Sequence, residues 1–272
     1  MSKPWNLLVE PAQLQARLTE DNLLIVDLCC KQETYVQGHI PNAVFVDFKE
    51  TQAETAPKGN LPSQENIQIL LNRIGLTPNK HVVVYDDEGG GWAGRFIWLL
   101  DVVGHTNYSY LNGGLLAWKH EELPLQQTVT SVATSHYPLT TLNTYPSVDK
   151  AYIESCLGAD DFIVWDARSS GEFSGEKVLA TRGGHIPGAV HLEWTSAMDK
   201  ENCLRIPNLG DIQAKLNALG LTKDKEIVTH CQTHHRSGYT YLLAKILGYT
   251  KVKAYPGSWS EWGNDLNTPI EC

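Results

Sequence analysis

In the stretch THCQTHHRSG, Thr229 to Gly238, one cysteine stands among three histidines and is followed five places on by an arginine. Three chemistries use such a set: a zinc site of thiolate and imidazoles, a loop that holds an oxyanion on backbone N–H groups, and a nucleophilic thiol. Cys231, His230, His234 and His235 are all donors to zinc, and C-x-x-H is a ligand-like spacing. A structural zinc takes four convergent ligands, usually as two separated pairs, and no second CxxC or HxxxH pair closes the tetrahedron here, so no metal is expected. Cysteine-dependent phosphatases cradle phosphate in C-x5-R, a ring of seven residues with a bidentate arginine. Cys231 to Arg236 is C-x4-R, one residue shorter, and the smaller circle of N–H groups fits one sulfur atom better than a tetrahedral oxyanion. A cysteine phosphatase or arsenate reductase is the rival enzyme reading; a non-enzymatic sulfur carrier or binding module is the rival outside enzymes.

Something must bring these groups together, and the flanking sequence says what. EIVT, Glu226 to Thr229, is an apolar strand that delivers His230 and Cys231 to its C-terminal end, and RSGYTYLLAKILGY has helical spacing. Open parallel sheets bind ligands at that edge. Unpaired N–H groups and the dipole of the following helix should lower the Cys231 pKa from roughly 8.5, leaving a thiolate near neutrality. Cys29, Cys30, Cys156, Cys203 and Cys272 lack such a cationic loop and are given no chemistry. Arg236 either holds the loop and the anionic end of a substrate or braces the turn against a carboxylate. Arg182, just before GGHIPGA, is a second anion-binding candidate, and His234 and His235 are candidates for charge or hydrogen bonds at the mouth.

The chain is also doubled. HIPNA at His39–Ala43 returns as HIPGA at His185–Ala189, and downstream Gly94, Gly104, Gly113 and Trp118 return as Gly238, Gly248, Gly257 and Trp262, 144 residues on. LLIVDL at Leu23–Leu28 matches DFIVWDAR at Asp161–Arg168, which pairs Asp27 with Asp166. Strands alternating with helices in each copy predict an α/β fold twice over, each a parallel sheet flanked by helices. Residues 126–147, rich in Thr and Ser, are expected to link a unit over 1–125 to one over 148–272. His39 and His185 read as strand-entry punctuation before proline. Carrying the Gly94–Gly238 alignment back places Asp87 opposite Cys231, and a carboxylate cannot take the part of a nucleophilic thiol. The first unit is therefore expected to be non-catalytic and to cover the site, with Trp92 a candidate wall.

Composition fits this picture. A net charge of −9 without a basic run argues against nucleic acid or an anionic membrane as partner. The opening MSKPWNLLVEPAQLQARL reads as a first helix and not a signal peptide, and six scattered cysteines suit a reducing compartment, so a cytoplasmic protein with free thiols is expected.

The doubled unit with a loop cysteine only in its second copy, the six-residue loop CQTHHR and the GHIPGA turn resemble the two-domain rhodanese sulfurtransferases over essentially the whole chain. The resemblance implies two tandem rhodanese-like domains, the first non-catalytic, and makes Cys231 the nucleophile. It implies that a small anionic donor such as thiosulfate loads Cys231 as a covalent persulfide, without metal or organic cofactor. The sulfur then passes to a thiophilic acceptor, cyanide or a protein or small thiol. Gln232 and Thr233 are donor-contact candidates: they replace the basic residues of the vertebrate loop and the small residues of the mercaptopyruvate-using loop, so 3-mercaptopyruvate is the alternative donor. A monomer is expected.

Overall fold

The computed structural model describes residues 4–272. In chain order its elements are β1 (Leu8–Val9), α1 (Pro11–Gln15), β2 (Leu23–Asp27), α2 (Gln32–Gln37), β3 (Ala43–Phe45), α3 (Gln64–Arg73), β4 (His81–Tyr85), α4 (Gly91–Val102), β5 (Tyr108–Leu111) and α5 (Gly114–His120). Then follow α6 (Lys150–Cys156), β6 (Phe162–Asp166), α7 (Ser170–Phe173), β7 (Val190–His191), α8 (Leu209–Ala218), β8 (Glu226–His230), α9 (Arg236–Ile246), β9 (Val252–Ala254) and α10 (Ser258–Trp262).

All strands pair in parallel, in the orders β1-β5-β4-β2-β3 and β7-β6-β8-β9. The central strands are continuous apolar runs such as HVVVY and FIVWD because helices cover both faces. The α/β expectation for each copy holds. The opening differs from its expected helix: Leu8–Val9 form an edge strand on β5, and Pro11, suited to a first helical turn, starts a helix of only five residues. Residues 1–3 of that stretch lie outside the described residues. In the second sheet the same edge is taken by Ser147, bridged in parallel to Ala254.

The repeat is visible in side chains as well as strands. Trp118 and Trp262 each donate Nε1–H to a proline carbonyl, of Pro124 and Pro269, at 2.8 Å. His39 and His185 pack locally, as the strand-entry reading expects: each stacks on an aromatic ring at 3.7 Å, of Tyr35 and Phe173, with Nδ1 near that residue's carbonyl.

Strand register corrects the alignment of the two loops. Tyr85 lies opposite Asp27, and His230 lies opposite Asp166, so the β4 and β8 strands are offset by 145 residues while Gly94 and Gly238 differ by 144. The first loop is one residue longer, and Asp86, not Asp87, stands where Cys231 stands. Their carbonyls confirm the match: that of Asp86 accepts from the N–H of Leu115 and that of Cys231 from the N–H of Trp259, both at 2.9 Å.

The two halves meet along α4 and α9. Every residue of α4 is buried, and apolar side chains of both halves join in one continuous core. The helices approach closely at Gly94 and Gly238, where a Cβ on Gly238 would lie 2.6 Å from the Arg95 backbone nitrogen. At the far end Asp101 of α4 accepts hydrogen bonds from Tyr108 and, across the interface, from Tyr241 (2.7 Å) and Lys245.

Candidate active site

β8 ends at His230, and the next residue, Cys231, begins the turn into α9. Its thiol is buried, and its backbone N–H faces the Ser258 hydroxyl at 3.4 Å. Burial alone pushes the thiol up. The Arg236 guanidinium, the Ser237 hydroxyl at 3.5 Å and the N–H groups of Ser237 and Thr233 outweigh it and bring the pKa down to about 6. The cation and the helix terminus thus act as the loop sequence suggests, and Cys231 is a thiolate at neutral pH.

Of the roles left open for Arg236, the structure shows the brace on a carboxylate, together with a charge on the cysteine. Its two terminal nitrogens form a fork on the buried Glu172 carboxylate at 2.7 and 2.8 Å, and its charge acts on the sulfur. Glu172 is held in turn by Ser169, the cap of α7. Below the loop, Asp166 takes a fork from Arg168 and lies 3.4 Å from His230 Nε2; against the cost of burial, these neighbours hold its carboxyl well below the usual range.

The loop imidazoles go in different directions. His230 is buried beside Asp166. His234 departs from its expected place at the mouth: it is buried, with Nδ1 2.8 Å from the Ser237 hydroxyl and its ring edge-on to Trp98. Burial, with Arg95 and His235 nearby, pushes its pKa well below the usual value, so it is neutral. With the Ser237 hydroxyl proton directed at sulfur, the proton shared with His234 belongs to Nδ1. His235 is half-buried, paired through Nε2 with Glu88 of the first domain and stacked on Trp92 at 4.0 Å. Among the described residues no group of three or more His, Cys, Asp or Glu is placed to hold a metal ion.

Three further candidates are occupied otherwise than the sequence suggests. Arg182 spends its guanidinium on the carbonyls of Thr268 (2.9 Å), Trp262 (3.2 Å) and Asp265, tying down the C-terminal segment instead of waiting for an anion. Gln232 donates to the Leu179 carbonyl at 3.1 Å and braces the neighbouring segment. Trp92 has both faces covered, by His235 and by Phe48 at 4.1 Å, so it is a wall for His235. Thr233 sits half-buried on the loop with its carbonyl turned to Arg95.

Arg95 is one of the site residues, with Glu88 and Glu172, that sequence reasoning missed. It lies in the first domain, fully buried in α4, and donates to the carbonyls of His234 (3.2 Å), Thr233 (3.5 Å), Asn60 (3.2 Å) and Thr51 (2.5 Å). Burial pulls its pKa down to about 9, the Cys231 charge working the other way, so it remains a cation at neutral pH. Because peptide groups are planar and trans, carbonyls drawn to Arg95 leave the next N–H groups, of His234 and His235, directed away from it. Its one signal was a lone arginine in the apolar run GWAGRFIWLL. Arg95→Met is expected to leave four carbonyls, two of them buried, short of a donor, to cost about 3 kcal/mol, and to slow the reaction of Cys231 with an electrophilic sulfur about 10- to 100-fold. A thermal melt alongside single-turnover kinetics checks it; an undisturbed rate would mean the loop holds its shape alone.

The first domain's loop has the same cradle with a different guest. Asp86 places one carboxylate oxygen against the N–H groups of Glu88, Gly89 and Gly90 (3.1, 3.1 and 2.8 Å) and the other against that of Ala93 (3.0 Å). Burial, with Glu88 nearby, pushes its pKa up to about 7 against the pull of those N–H groups.

A family model described as a rhodanese-like domain matches the chain twice, over residues 10–121 and 150–265. Thiosulfate sulfurtransferases of Azotobacter vinelandii and Pseudomonas aeruginosa are 54% and 52% identical to it, each over 97% of both chains. An anaerobic ergothioneine biosynthesis enzyme from Chlorobium limicola superposes with a TM-score of 0.87 at 20% identity, over 98% of this chain and 70% of that one, a likeness of fold. A parallel sheet built twice, with a cysteine at the end of β8 in one copy and a carboxylate at the matching place in the other, is thus the rhodanese fold in tandem, and the chain belongs to the rhodanese family of sulfurtransferases.

Proposed function

We propose that the protein moves sulfane sulfur from thiosulfate to a thiophilic acceptor through a persulfide on Cys231. The observation that carries this reading is the Cys231 thiolate, with a pKa of about 6, inside a six-residue loop closed by Arg236. The thiolate attacks the outer sulfur of thiosulfate, the S–S bond of the donor breaks, and sulfite leaves with the electron pair. The N–H groups of Thr233 and Ser237, the Ser237 hydroxyl and Arg236 then face the persulfide anion. Thiosulfate is favoured as donor by the relatives at more than 50% identity, which bear its name. The reading includes cyanide as a competent acceptor, no metal or organic cofactor, and a monomer in the cytoplasm. No helix among the described residues is long and apolar enough to cross a membrane.

Incubation with thiosulfate should add one sulfur to the intact mass, cyanide should remove it, and Cys231→Ser should take up none. No adduct on the wild type would sink the reading. Turnover of an aryl phosphate that disappears in Cys231→Ser would move the protein to the phosphatases.

A further inference from the structure

A site that draws anionic donors has a carboxylate at its edge, and that requires a reason. Glu88 belongs to the acidic loop Asp86–Glu88 of the first domain and crosses the interface to pair with His235 Nε2. Its second oxygen accepts from the Cys30 thiol at 3.4 Å, a thiol that burial and the charges of Glu88 and Asp87 keep protonated. The imidazole is clamped as well as paired. Its face lies on Trp92, itself stacked on Phe48, and Trp194 stands edge-on at 5.5 Å. Gly91 makes room for the pair, since a Cβ there would overlap His235 Nε2. With Nε2 committed to Glu88, Nδ1 is the nitrogen left over, and it has no hydrogen-bond partner among the described residues. A carboxylate on one nitrogen, a free second nitrogen and a fixed ring make a general base.

Building on the persulfide reading above, we propose that His235 is the base that deprotonates an incoming thiol acceptor, with Glu88 of the first domain as its positioning residue. The acceptor thiol gives its proton to His235 Nδ1, and the thiolate so formed attacks the outer sulfur of the Cys231 persulfide. One S–S bond forms as the other breaks, and the electron pair of the broken bond returns to Cys231 as thiolate. The product leaves as a hydropersulfide anion and the imidazolium, held against Glu88, releases its proton to water. The base is useful to a thiol, which is largely protonated at neutral pH, and not to an acceptor that arrives as an anion. The charged groups around the ring are few. Glu88 faces Nε2, with Asp86, Asp87 and Cys30 behind it; His234 and Arg236 flank it in its own loop; α4 contributes Arg95; the turn Trp194–Ala197 brings an indole edge and no charge.

The test separates loading from discharge. Protein carrying the thiosulfate-derived sulfur is mixed with 2-mercaptoethanol, or with cyanide, whose rate is expressed per cyanide anion present at each pH, and loss of the sulfur is followed by mass from pH 6 to pH 10 in the wild type, Glu88→Gln and His235→Gln. The rate with thiol relative to that with cyanide should fall about 10-fold in Glu88→Gln and about 100-fold in His235→Gln at pH 7. Both deficits should close as the pH passes the pKa of the acceptor thiol. A deficit equal for both acceptors and constant with pH would overturn the proposal and make the pair a brace between domains. Failure of the wild type to load would defeat the persulfide reading itself; normal loading with an unmoved thiol-to-cyanide ratio would defeat only the base. Loading of the variants shows that each has folded.

Discussion

Arg236→Leu should lower the rate of sulfur loading at pH 7 on the order of 100-fold, since the thiolate fraction of Cys231 falls from about 90% to about 1%. The largest influence on this thiol is burial, which favours the neutral form, and the guanidinium is the first of the groups that reverse it to give a pKa of about 6. Without the cation, burial is expected to prevail over the remaining donors and return the pKa toward the ordinary thiol value of 9.0. The wild type loses its thiolate as the pH falls through 6, the variant already as it falls through about 9. Alkylation of Cys231 by iodoacetamide against pH reads both midpoints. Arg236→Lys keeps the charge and loses the fork on Glu172, so it should lie between the two. An alkylation midpoint that stays near 6 in Arg236→Leu would show that the N–H groups and Ser237 suffice.

Gly94→Ala should loosen the meeting of the two halves although it adds a single methyl. The new Cβ would overlap the Gly238 carbonyl oxygen, well inside the sum of their van der Waals radii, and that oxygen belongs to backbone at the start of α9, which has no rotamer to change. The helices must separate, and overpacking of this kind costs about 3 kcal/mol, which lowers the thermal midpoint by about 10 °C. Arg95 follows Gly94 directly, so any shift of α4 also moves the donor that holds the Thr233 and His234 carbonyls. Stability and sulfur loading should therefore fall together. A melt within about 2 °C of the wild type, well short of that shift, would mean that the helices slide apart without cost.

What was legible in the sequence divides along physical lines. Cys231 stood out because local sequence sets its environment: a strand before it, a helix after it, an arginine five residues on. The doubled fold was legible because glycines and tryptophans that serve turns and carbonyl contacts recur at one spacing. Asp86 was misplaced by one residue because an offset taken from Gly94 cannot reveal an insertion within the loop; strand register does. His234 looked like a mouth residue because loop side chains usually face water, and only the second domain's helix and Trp98 of the first enclose it. Arg95 and Glu88 were illegible as site residues because their partners, Thr233, His234 and His235, are more than a hundred residues away in the chain. Glu172 drew no attention in the sequence for the same reason: its fork on Arg236 spans 64 residues.

The meeting of Gly94 with Gly238 is a residue meeting its own counterpart, the geometry of an isologous contact across a two-fold axis. In a dimer of identical chains each change at such a surface appears twice, so a thiol and a carboxylate could never face each other from matching positions. Joining the halves in one polypeptide removes that constraint. Arg95 and Tyr239 occupy matching places, as do Asp86 and Cys231, and Arg95 of one half holds loop carbonyls of the other. Broken symmetry, more than the duplication itself, set a thiol in one of two like folds and a carboxylate at the matching place in the other.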